Sequence, residues 1–593
     1  MVIGYRLLVI ENMMKKSLLI LVAICCATTL YAQDFLNKSK VSGSFQIDGN
    51  YYWEDNGIDI TEGDIGGNKF GANGFGKIQY QLGDFTAGMR FEAFSNTSDM
   101  SGFDSRLKGM GIANYFATYD NGTIGVTVGD IYDQFGNGLI FRTYEEWTLG
   151  YDNSLRGIRA IYRPWNGVTI KGLYGKQRYY WVSYEEERGL VRGVDGEWDI
   201  NQSITAFNDA KLRATLGGSF VSKYEQVEDY VDPNMVTYKI PQNVAAYAGR
   251  MSLGYGRFGL SAEYARKIND PLPFNNFIYR EGQELLASLS YSQKGLGMVL
   301  QLKRVDNMKF QSKFKTEDMK DLNIGFIPPI NYTHTHSLPS MFSYATQPLG
   351  EMGAQFQVNY TIPKKTVLGG KYGTKLAFNY SQVNDIKRDS IMVDGVSTLN
   401  QPGTLGYTSP FFAVGDKMFY RDFNFEIEKK LSAKWHLTLM YINLYYDMET
   451  IEGHPKAEPV KAHFAFGEAI YKINRKHSVR LELQHMWDNI GKDYEIEEGY
   501  EDNYIKRGNW MAFLLEYTIA PKWFVSVADK YNYGNPIADN RDHYFTGSVG
   551  FIKDQTRIAL SGGRQSQGMI CVGGVCREVP ASSGVSLTIT TSF

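Results

Sequence analysis

The chain has 593 residues, and its 62 lysines and arginines nearly balance 64 aspartates and glutamates, so the net charge is −2. This balance argues against nucleic acid as a partner, because nucleic-acid-binding proteins carry an excess of basic residues. The content of 41 tyrosines, 34 phenylalanines and 61 glycines is typical of a tyrosine-rich β protein. Length alone favours several soluble domains, but no linker divides the sequence, so one large closed sheet explains the length better.

The N-terminal segment has the three parts of a secretory signal peptide. Two lysines precede an apolar stretch at residues 18–27, and a small-residue site at residues 30–32 follows it. The apolar stretch is much shorter than the roughly 20 residues that span a bilayer as a helix. We therefore predict a signal peptide at residues 1–32, with its true start near Met13 or Met14, and a single domain at residues 33–593.

Many mature segments alternate apolar with polar or small residues, which is the period of a β-strand. In the first of them the apolar face carries Val41, Phe45, Ile47, Tyr51 and Trp53. Such a face packs on a core in a soluble sandwich and on lipid in a membrane barrel, so periodicity alone does not separate the two.

The connections separate the two architectures, because short turns alternate with long excursions along the chain. The sequence predicts short turns at residues 83–84, 120–122, 164–167, 256–257, 294–295, 432–434, 474–476 and 553–554. It predicts long connections at residues 54–72, 95–108, 267–282, 307–350 and 384–416. This phase predicts an all-β, transmembrane, antiparallel up-and-down barrel of about 24 strands (22–26), with short periplasmic turns and long extracellular loops. A further turn is predicted within residues 201–210.

The last segment, residues 584–593, alternates in the same way and ends on Phe593. A terminal aromatic residue on such a strand is typical of the signal that outer-membrane barrel assembly machinery reads. We expect this strand to pair with residues 41–53, so that no strand edge is exposed in lipid. Aromatic residues near strand ends are predicted to form the two interfacial girdles, namely Trp53, Trp435, Tyr445, Trp487, Trp510 and Trp523.

Residues 129–157 concentrate charges of both signs. The candidate constriction residues are Arg142, Glu145, Glu146, Asp152 and Arg156. Opposed acidic and basic walls in a lumen would create a transverse field that selects polar solutes. Two alternatives stay open: the charges satisfy each other in a structural network, or they dock a partner.

Two further motifs lie in predicted external loops. Cys571 and Cys576 are separated by four residues, two of them glycines, and an oxidising compartment favours a disulfide between them over a metal site. His334 and His336 lie two apart and could ligate a metal, although no acidic cluster surrounds them in sequence. Their loop, residues 307–350, is too apolar to be freely solvated, so it folds over the mouth, dips into the lumen or docks a partner.

Enzymatic motifs are not found in the sequence. The adjacent pairs Glu145-Glu146 and Glu497-Glu498 would point to opposite faces of a strand, so they cannot act as an acid–base pair. No serine-hydrolase elbow, zinc-protease motif or phosphate-binding loop occurs. We expect no catalytic residue and no cofactor, with a motif-free membrane phospholipase as the remaining enzymatic alternative.

Residues 129–157, with Gly129-Asp130, Gln134-Phe135-Gly136 and Asp152-Asn153, and the closing Cys571-Val-Gly-Gly-Val-Cys576 resemble an uncharacterised family of Bacteroidota outer-membrane β-barrels that carries only a domain-of-unknown-function label. The resemblance is specific in these two segments and loose elsewhere. It implies an outer-membrane location and the phylum, and it brings no activity.

Together these observations favour a non-enzymatic outer-membrane barrel that acts as a porin-like channel or receptor for polar solutes. The expected partners are outer-membrane lipid, the assembly machinery and proteins at the external loops. Because a barrel of this strand number would leak if it were empty, we expect loops or another protein to fill it. The alternative is a scaffold subunit of an assembly, secretion or adhesion complex, with residues 307–350 and 384–416 as docking surfaces.

Overall fold

A computed structural model describes residues 39–66, 68–95, 103–181, 189–572 and 575–593. The predicted signal peptide therefore lies outside the described residues and stays a prediction. No helix in the described part of the chain is long and apolar enough to cross a membrane.

The described residues form one sheet of 24 strands. The strands are β1 Ser39–Tyr52, β2 Phe70–Leu82, β3 Phe85–Phe94, β4 Gly109–Asp120, β5 Ile124–Ile131, β6 Leu155–Tyr162, β7 Val168–Gln177, β8 Leu190–Asp199, β9 Leu212–Tyr224, β10 Asn243–Tyr255, β11 Phe258–Lys267, β12 Gly282–Gln293, β13 Leu296–Asp306, β14 Gly350–Ile362, β15 Thr374–Ile386, β16 Val414–Lys430, β17 Trp435–Tyr446, β18 Val460–Lys472, β19 His477–Asp488, β20 Trp510–Ile519, β21 Trp523–Tyr531, β22 Thr546–Lys553, β23 Thr556–Gln565 and β24 Ser582–Ser592.

Each strand pairs antiparallel with the next one along the chain, and β24 pairs antiparallel with β1, so the sheet closes into an up-and-down barrel. At this seam Ile47 lies opposite Ile589, and Gly43 and Phe593 exchange two backbone hydrogen bonds of 3.0 and 2.9 Å. The Phe593 ring stacks on Phe45 at a centroid distance of 6.1 Å. The predicted strand count and closure are confirmed, whereas the role of Phe593 as an assembly signal stays a prediction.

The connections alternate between short and long around the whole barrel, as predicted. Every one of the eight predicted short turns joins two neighbouring strands, and the connection hidden in residues 200–211 carries a short helix, α1 Ile200–Ser203. Gly83 and Gly256 adopt the left-handed conformation at their turns, with φ of 55° and 60°. Glycine is favoured there because a side chain would strain this backbone.

The small elements lie in the connections. Besides α1, the α-helical turns are Glu62–Ile65 and Met448–Ile451. Two-stranded hairpins pair Glu145–Glu146 with Tyr151–Asp152, Tyr230–Val231 with Thr237–Tyr238, Met392–Val393 with Val396–Ser397, and Gly568–Val572 with Val575–Val579. The 3-10 turns are Ser105–Leu107, Trp147–Leu149, Thr205–Phe207, Pro273–Asn275, Pro339–Phe342, Glu501–Tyr504 and Ala538–Asn540.

The two faces of the barrel wall differ sharply in polarity. Large apolar side chains alternate along the strands on the outward face and are exposed, among them Val41, Ile47, Met89, Tyr247, Leu439, Leu483 and Val525. The intervening side chains face the lumen, and many are buried there although they are charged or polar. The period-2 pattern of the sequence therefore separates an apolar outside from an inside that carries both polar residues and apolar clusters.

The predicted aromatic girdles need one correction. Trp435, Trp487 and Trp523 are outward-facing and about half exposed, which agrees with the prediction. Trp510 is 2% exposed and faces the lumen, where its indole Nε1 donates to the backbone oxygen of Lys506 at 3.2 Å. Side chains two positions apart on a strand lie on the same face, and Trp510 shares the lumen face of β20 with Ala512.

Candidate functional site

Two long connections fold into the lumen and define the candidate site. Inner loop A comprises residues 132–154 between β5 and β6, and inner loop B comprises residues 307–349 between β13 and β14. The sequence left open whether loops or another protein fill the lumen, and these two loops contact the inward faces of the strands. The sequence left three possibilities open for inner loop B, and the structure shows the one in which it dips into the lumen.

Inner loop A packs on the wall formed by β6–β11 and β13. Its apolar side chains Phe135, Leu139, Ile140 and Phe141 are buried in one cluster with inward-facing residues of that wall, such as Val191, Val221 and Val244. At its tip, the backbone and side-chain amides of Asn137 both donate to Glu263 Oε2, at 2.7 and 2.8 Å. These contacts seat the loop on the wall through an apolar patch and one charged acceptor.

The contact between the tip of inner loop A and Glu263 requires glycine at position 136. Gly136 has φ of 54°, and a Cβ atom there would lie 2.5 Å from Glu263 Oε2. Both the left-handed backbone and the close carboxylate exclude other residues. The Gln-Phe-Gly sequence at residues 134–136 is therefore the packing element that places inner loop A against β11.

Inner loop B packs on the opposite part of the wall, formed by β16–β20. Leu338, Met341, Phe342 and Tyr344 are buried among inward-facing residues such as Ile442, Phe464 and Met486. The backbone amide of Leu338 donates to Gln484 Oε1 at 3.0 Å. Phe342 and Tyr344, two of the aromatic residues that made this loop a candidate docking surface, are thus covered by its own barrel.

The two histidines of inner loop B contact carboxylates of the wall. His334 Nε2 is hydrogen-bonded to Asp422 Oδ2. His336 Nδ1 lies 3.7 Å from Glu482 Oε1, and its ring stacks on Phe466 at a centroid distance of 3.7 Å. Within the described residues, no group of three or more histidine, cysteine, aspartate or glutamate side chains has the arrangement that could hold a metal ion.

The inner loops also bind each other. The backbone amides of Arg142 and Phe326 donate across the interface to Ile324 and Gly138 oxygens, at 2.8 and 2.9 Å. The Asn153 side chain donates to the Asn323 oxygen at 3.0 Å. The two loops therefore form one continuous body inside the barrel.

A buried charge network joins inner loop A to β3 and to the connection after β7. Its members are Arg90, Glu92, Tyr132, Glu145, Asp152 and Arg178. Arg178 binds Glu92 Oε2 at 2.8 Å and Asp152 Oδ2 at 2.6 Å, and Arg90 binds Glu92 at 2.8 Å and also contacts Glu145 and Asp152. The Tyr132 hydroxyl accepts from Arg90 at 2.9 Å and donates to Asp152 at 3.0 Å.

The electrostatic balance of this network is visible at Asp152. Burial acts to raise its pKa, but Arg178 and Arg90 outweigh burial and hold the pKa at about 2. The pKa of Arg178 is raised, because its two carboxylate partners outweigh its own burial. Asp152 and Arg178 thus hold each other in their charged forms.

The five predicted constriction residues do not share one environment. Glu145 and Asp152 lie in the buried network, whereas the Arg142 guanidinium lies over the rings of Tyr144 and Phe326 at 4.5 and 4.0 Å. Arg156 forms an ion pair of 2.8 Å with Asp130. Glu146 accepts a hydrogen bond of 3.1 Å from the Thr148 amide.

These positions favour the structural network over opposed charged walls for Glu145 and Asp152. Sequence reasoning missed Arg90, Glu92 and Arg178, although the alternation Met89-Arg90-Phe91-Glu92 places two charges on the polar face of a strand. What the sequence does not show is that residues 90 and 178 surround the same loop.

A second charged cluster ties inner loop B to two other connections. Arg106 donates to Asp321 Oδ2 at 2.9 Å and binds Asp104. The Tyr180 hydroxyl lies within hydrogen-bond distance of both aspartates, at 3.0 and 3.2 Å. Burial acts to raise the pKa of Asp104, but Arg106 lowers it to about 2. Three separate connections are therefore held together at the mouth of the barrel.

A cavity of about 460 Å³ lies between the inner loops and residues 450–453. Its lining includes the rings of Tyr144 and Phe326 and the side chains of Gln347 and Thr450. Lys309 also borders it, with its Nζ donating to Asn323 Oδ1 at 2.6 Å. Burial lowers the pKa of Lys309 to about 7, against the opposing attraction of Asp318 and Asp321.

The predicted disulfide lies in the last long connection. Cys571 and Cys576 are directly opposite each other in the register of its hairpin. Their side chains lie outside the described residues, so the disulfide stays a prediction.

The fold and this site define a 24-stranded antiparallel β-barrel whose lumen is occupied by two of its own loops. The chain belongs to the family of unknown function DUF6029, which it matches over residues 14–593. No curated protein matches it.

Several solved structures are similar at low identity. The P pilus usher (PapC) translocation pore matches at 7% identity and a TM-score of 0.42, over 93% of this chain and 99% of that one. The siderophore receptor PirA from Pseudomonas aeruginosa matches at 9% identity and a TM-score of 0.40, over 93% of this chain and 80% of that one. OccAB3 from Acinetobacter baumannii matches at 9% identity and a TM-score of 0.34, over 94% and 99%. Similarities this distant assign no activity to the chain.

Proposed function

We propose that the protein is an integral outer-membrane β-barrel that passes or receives polar solutes through a lumen narrowed by inner loops A and B. The observation that carries the membrane setting is the outward face, where exposed large apolar side chains recur around the barrel. Soluble proteins rarely expose continuous apolar surface on this scale, because water penalises it. In the hydrocarbon of a bilayer, exposing this apolar surface carries no free-energy penalty.

The polar lumen supports the solute half of the proposal. Near the seam, a cavity of about 280 Å³ is lined by Asn50, Ser561 and Ser586 together with Arg564. On the neighbouring strands β21 and β22, the hydroxyls of Ser526 and Ser548 lie 2.5 Å apart. Small hydroxyl side chains leave space and hydrogen-bonding capacity, so this side of the lumen suits water and polar solutes.

Single-channel conductance in a planar bilayer tests this proposal. We expect the intact protein to give small or infrequent steps, and replacement of residues 309–347 by a short Gly-Ser linker to give large, steady steps. The milder variant His334→Ala/His336→Ala removes two contacts between inner loop B and the wall and keeps the loop. It should increase the frequency of opening. No current from any of the three proteins would contradict a solute pathway.

A scaffold subunit of a surface assembly is the second candidate, and one observation favours it. The connection between β15 and β16 exposes apolar side chains on its Met392–Val393 and Val396–Ser397 hairpin, and Phe412 in the same connection is 79% exposed. Exposed apolar loops suit a protein partner. Co-purification of a stoichiometric partner in mild detergent, lost in Met392→Ser/Val396→Ser, would favour this candidate over the channel.

The proposal is of a non-enzymatic protein without a cofactor. Hydrolysis of phospholipid by a pure preparation of the barrel would contradict it and revive the membrane phospholipase.

A further inference from the structure

We propose that the outer wall of the barrel binds a single membrane lipid with an amine headgroup, in a groove on β17–β21. This inference rests on the membrane setting proposed above. The groove has a volume of about 690 Å³ and lies on the outward face. Its ligand would differ from any solute in the lumen, because a complete layer of sheet separates the two.

The groove arises where small side chains interrupt the apolar surface. Ala465 and Gly467 on β18 form its floor, and Leu439 on β17 and Leu483 on β19 form its walls. The register places Leu439 opposite Gly467 and Gly467 opposite Leu483. Since the groove opens onto the surface that faces hydrocarbon, an acyl chain is its natural occupant.

Polar groups lie at one end of the groove, on the same outward face. Leu483 lies opposite Phe513, and Phe513 lies opposite Asp529, in the register of three neighbouring strands. A carboxylate therefore lies beside apolar residues on the lipid side. Its Oδ2 binds His543 Nδ1 at 2.7 Å, and the His543 ring stacks on Tyr531 at 3.9 Å. A carboxylate on the outside of a membrane barrel is destabilising unless it has a partner, and here His543 is the partner of only one of the two oxygens.

Two atoms at this end have unused hydrogen-bonding capacity. Asp529 Oδ1 and His485 Nδ1 are buried and have no hydrogen-bond partner among the described residues. His485 is already held by Tyr533, whose hydroxyl lies 2.8 Å from its Nε2. An unused carboxylate oxygen accepts hydrogen bonds, so it selects a headgroup that donates them. An ammonium group does so with charge assistance, which a quaternary choline cannot do.

The chain offers a matched pair of variants for testing the groove. A Cβ atom at Gly467 would be 3.6 Å from Leu439, which is an ordinary contact, so Gly467→Leu is chosen to fill the groove. Gly249 also faces outward, between Tyr247 and Met251 on β10, and a Cβ atom there meets nothing within 4 Å. Gly249→Leu is therefore a control that adds the same side chain elsewhere on the outer wall.

The experiment is native mass spectrometry of the detergent-solubilised barrel, titrated with phosphatidylethanolamine or phosphatidylcholine of the same acyl chains. We expect a one-to-one adduct with phosphatidylethanolamine in the unmodified protein and in Gly249→Leu, and about tenfold weaker binding in Gly467→Leu. Asp529→Asn should remove the preference for ethanolamine over choline while the adduct remains.

Equal adducts in Gly467→Leu and Gly249→Leu would overturn the groove, and equal binding of the two lipids by the unmodified protein would overturn the headgroup assignment. Flotation of each protein with vesicles separates this inference from the proposed function. A barrel that floats with vesicles but binds no lipid refutes only the groove, whereas a barrel that does not float refutes the membrane setting and the groove together.

Discussion

Asn137 donates two hydrogen bonds to a single carboxylate oxygen of Glu263, 126 residues further along the chain. One residue thus anchors the tip of inner loop A to β11. We expect Glu263→Ala to destabilise the loop by about 1–3 kcal/mol, because two amide donors of Asn137 lose their partly buried acceptor. Glu263→Gln retains a carbonyl oxygen and should cost less. Urea unfolding of the refolded barrel in vesicles measures the difference, and equal losses in the two variants would contradict the acceptor role.

Gly136 should be the position of inner loop A least tolerant of a methyl group. Gly136→Ala places a Cβ against the Glu263 carboxylate and requires a left-handed backbone, so we expect a loss of about 1–3 kcal/mol. Gly249→Ala, where the added Cβ meets open space, is the matched control and should be nearly neutral. Protease digestion of the folded barrel should cleave inner loop A faster in the first variant only.

Arg178 should be the most sensitive charge in the buried network. Arg178→Ala leaves Glu92 and Asp152 buried with one cation fewer, and breaking such a network typically costs about 3–5 kcal/mol. Arg178→Lys keeps the charge but cannot bridge both carboxylates in the same way, so it should fall between. Thermal melts in detergent order the three proteins. If the melting temperature of Arg178→Ala equalled that of the unmodified protein within error, the network would not contribute to the stability of the loop.

Acid should loosen inner loop A through Asp152. Its pKa is about 2 in the folded protein against an ordinary value of 3.8, so its ionised form stabilises the fold above the unfolded value. That contribution, on the order of 2 kcal/mol, is lost as pH falls from 3.8 towards 2. Unfolding free energies measured across this window should decline less in Asp152→Asn, which has no carboxyl to protonate. Identical pH profiles would show that other carboxyls control acid unfolding.

The hairpin of the last long connection should contain a disulfide. Thiol labelling of the unfolded protein should modify Cys571 and Cys576 only after a reductant is added. Because the closed loop is short, the bond should contribute about 2 kcal/mol, mainly by restricting the unfolded chain. Cys571→Ser/Cys576→Ser provides the reference for both measurements, and labelling without a reductant would show free thiols instead.

The sequence predicted the barrel well, because strand faces and connection lengths are local properties. The alternation at Val41, Phe45 and Ile47 and the phase of turns and loops were enough for the 24 strands and the closing seam. Trp510 was placed on the wrong face, because an aromatic residue at a strand end suits either an interface or a filled lumen.

The interior could be predicted only in part, because it depends on which strands surround each loop. The apolar character of residues 307–350 indicated that the loop is buried against another surface, but it did not identify β16–β20 as that surface. The charges of inner loop A were recognised, whereas their partners Arg90 and Arg178 come from segments separated by 88 residues and meet only in the closed barrel.

The order of the chain has a consequence for biogenesis. Inner loop B is synthesised and exported before β16–β20, the strands that cover it. Until those strands arrive, Leu338, Met341 and Phe342 have no wall to pack on and are open to water and to other chains. This part of the lumen filling is therefore open to aggregation during export until the last third of the chain has been delivered, which is the interval in which a holding chaperone would shield it.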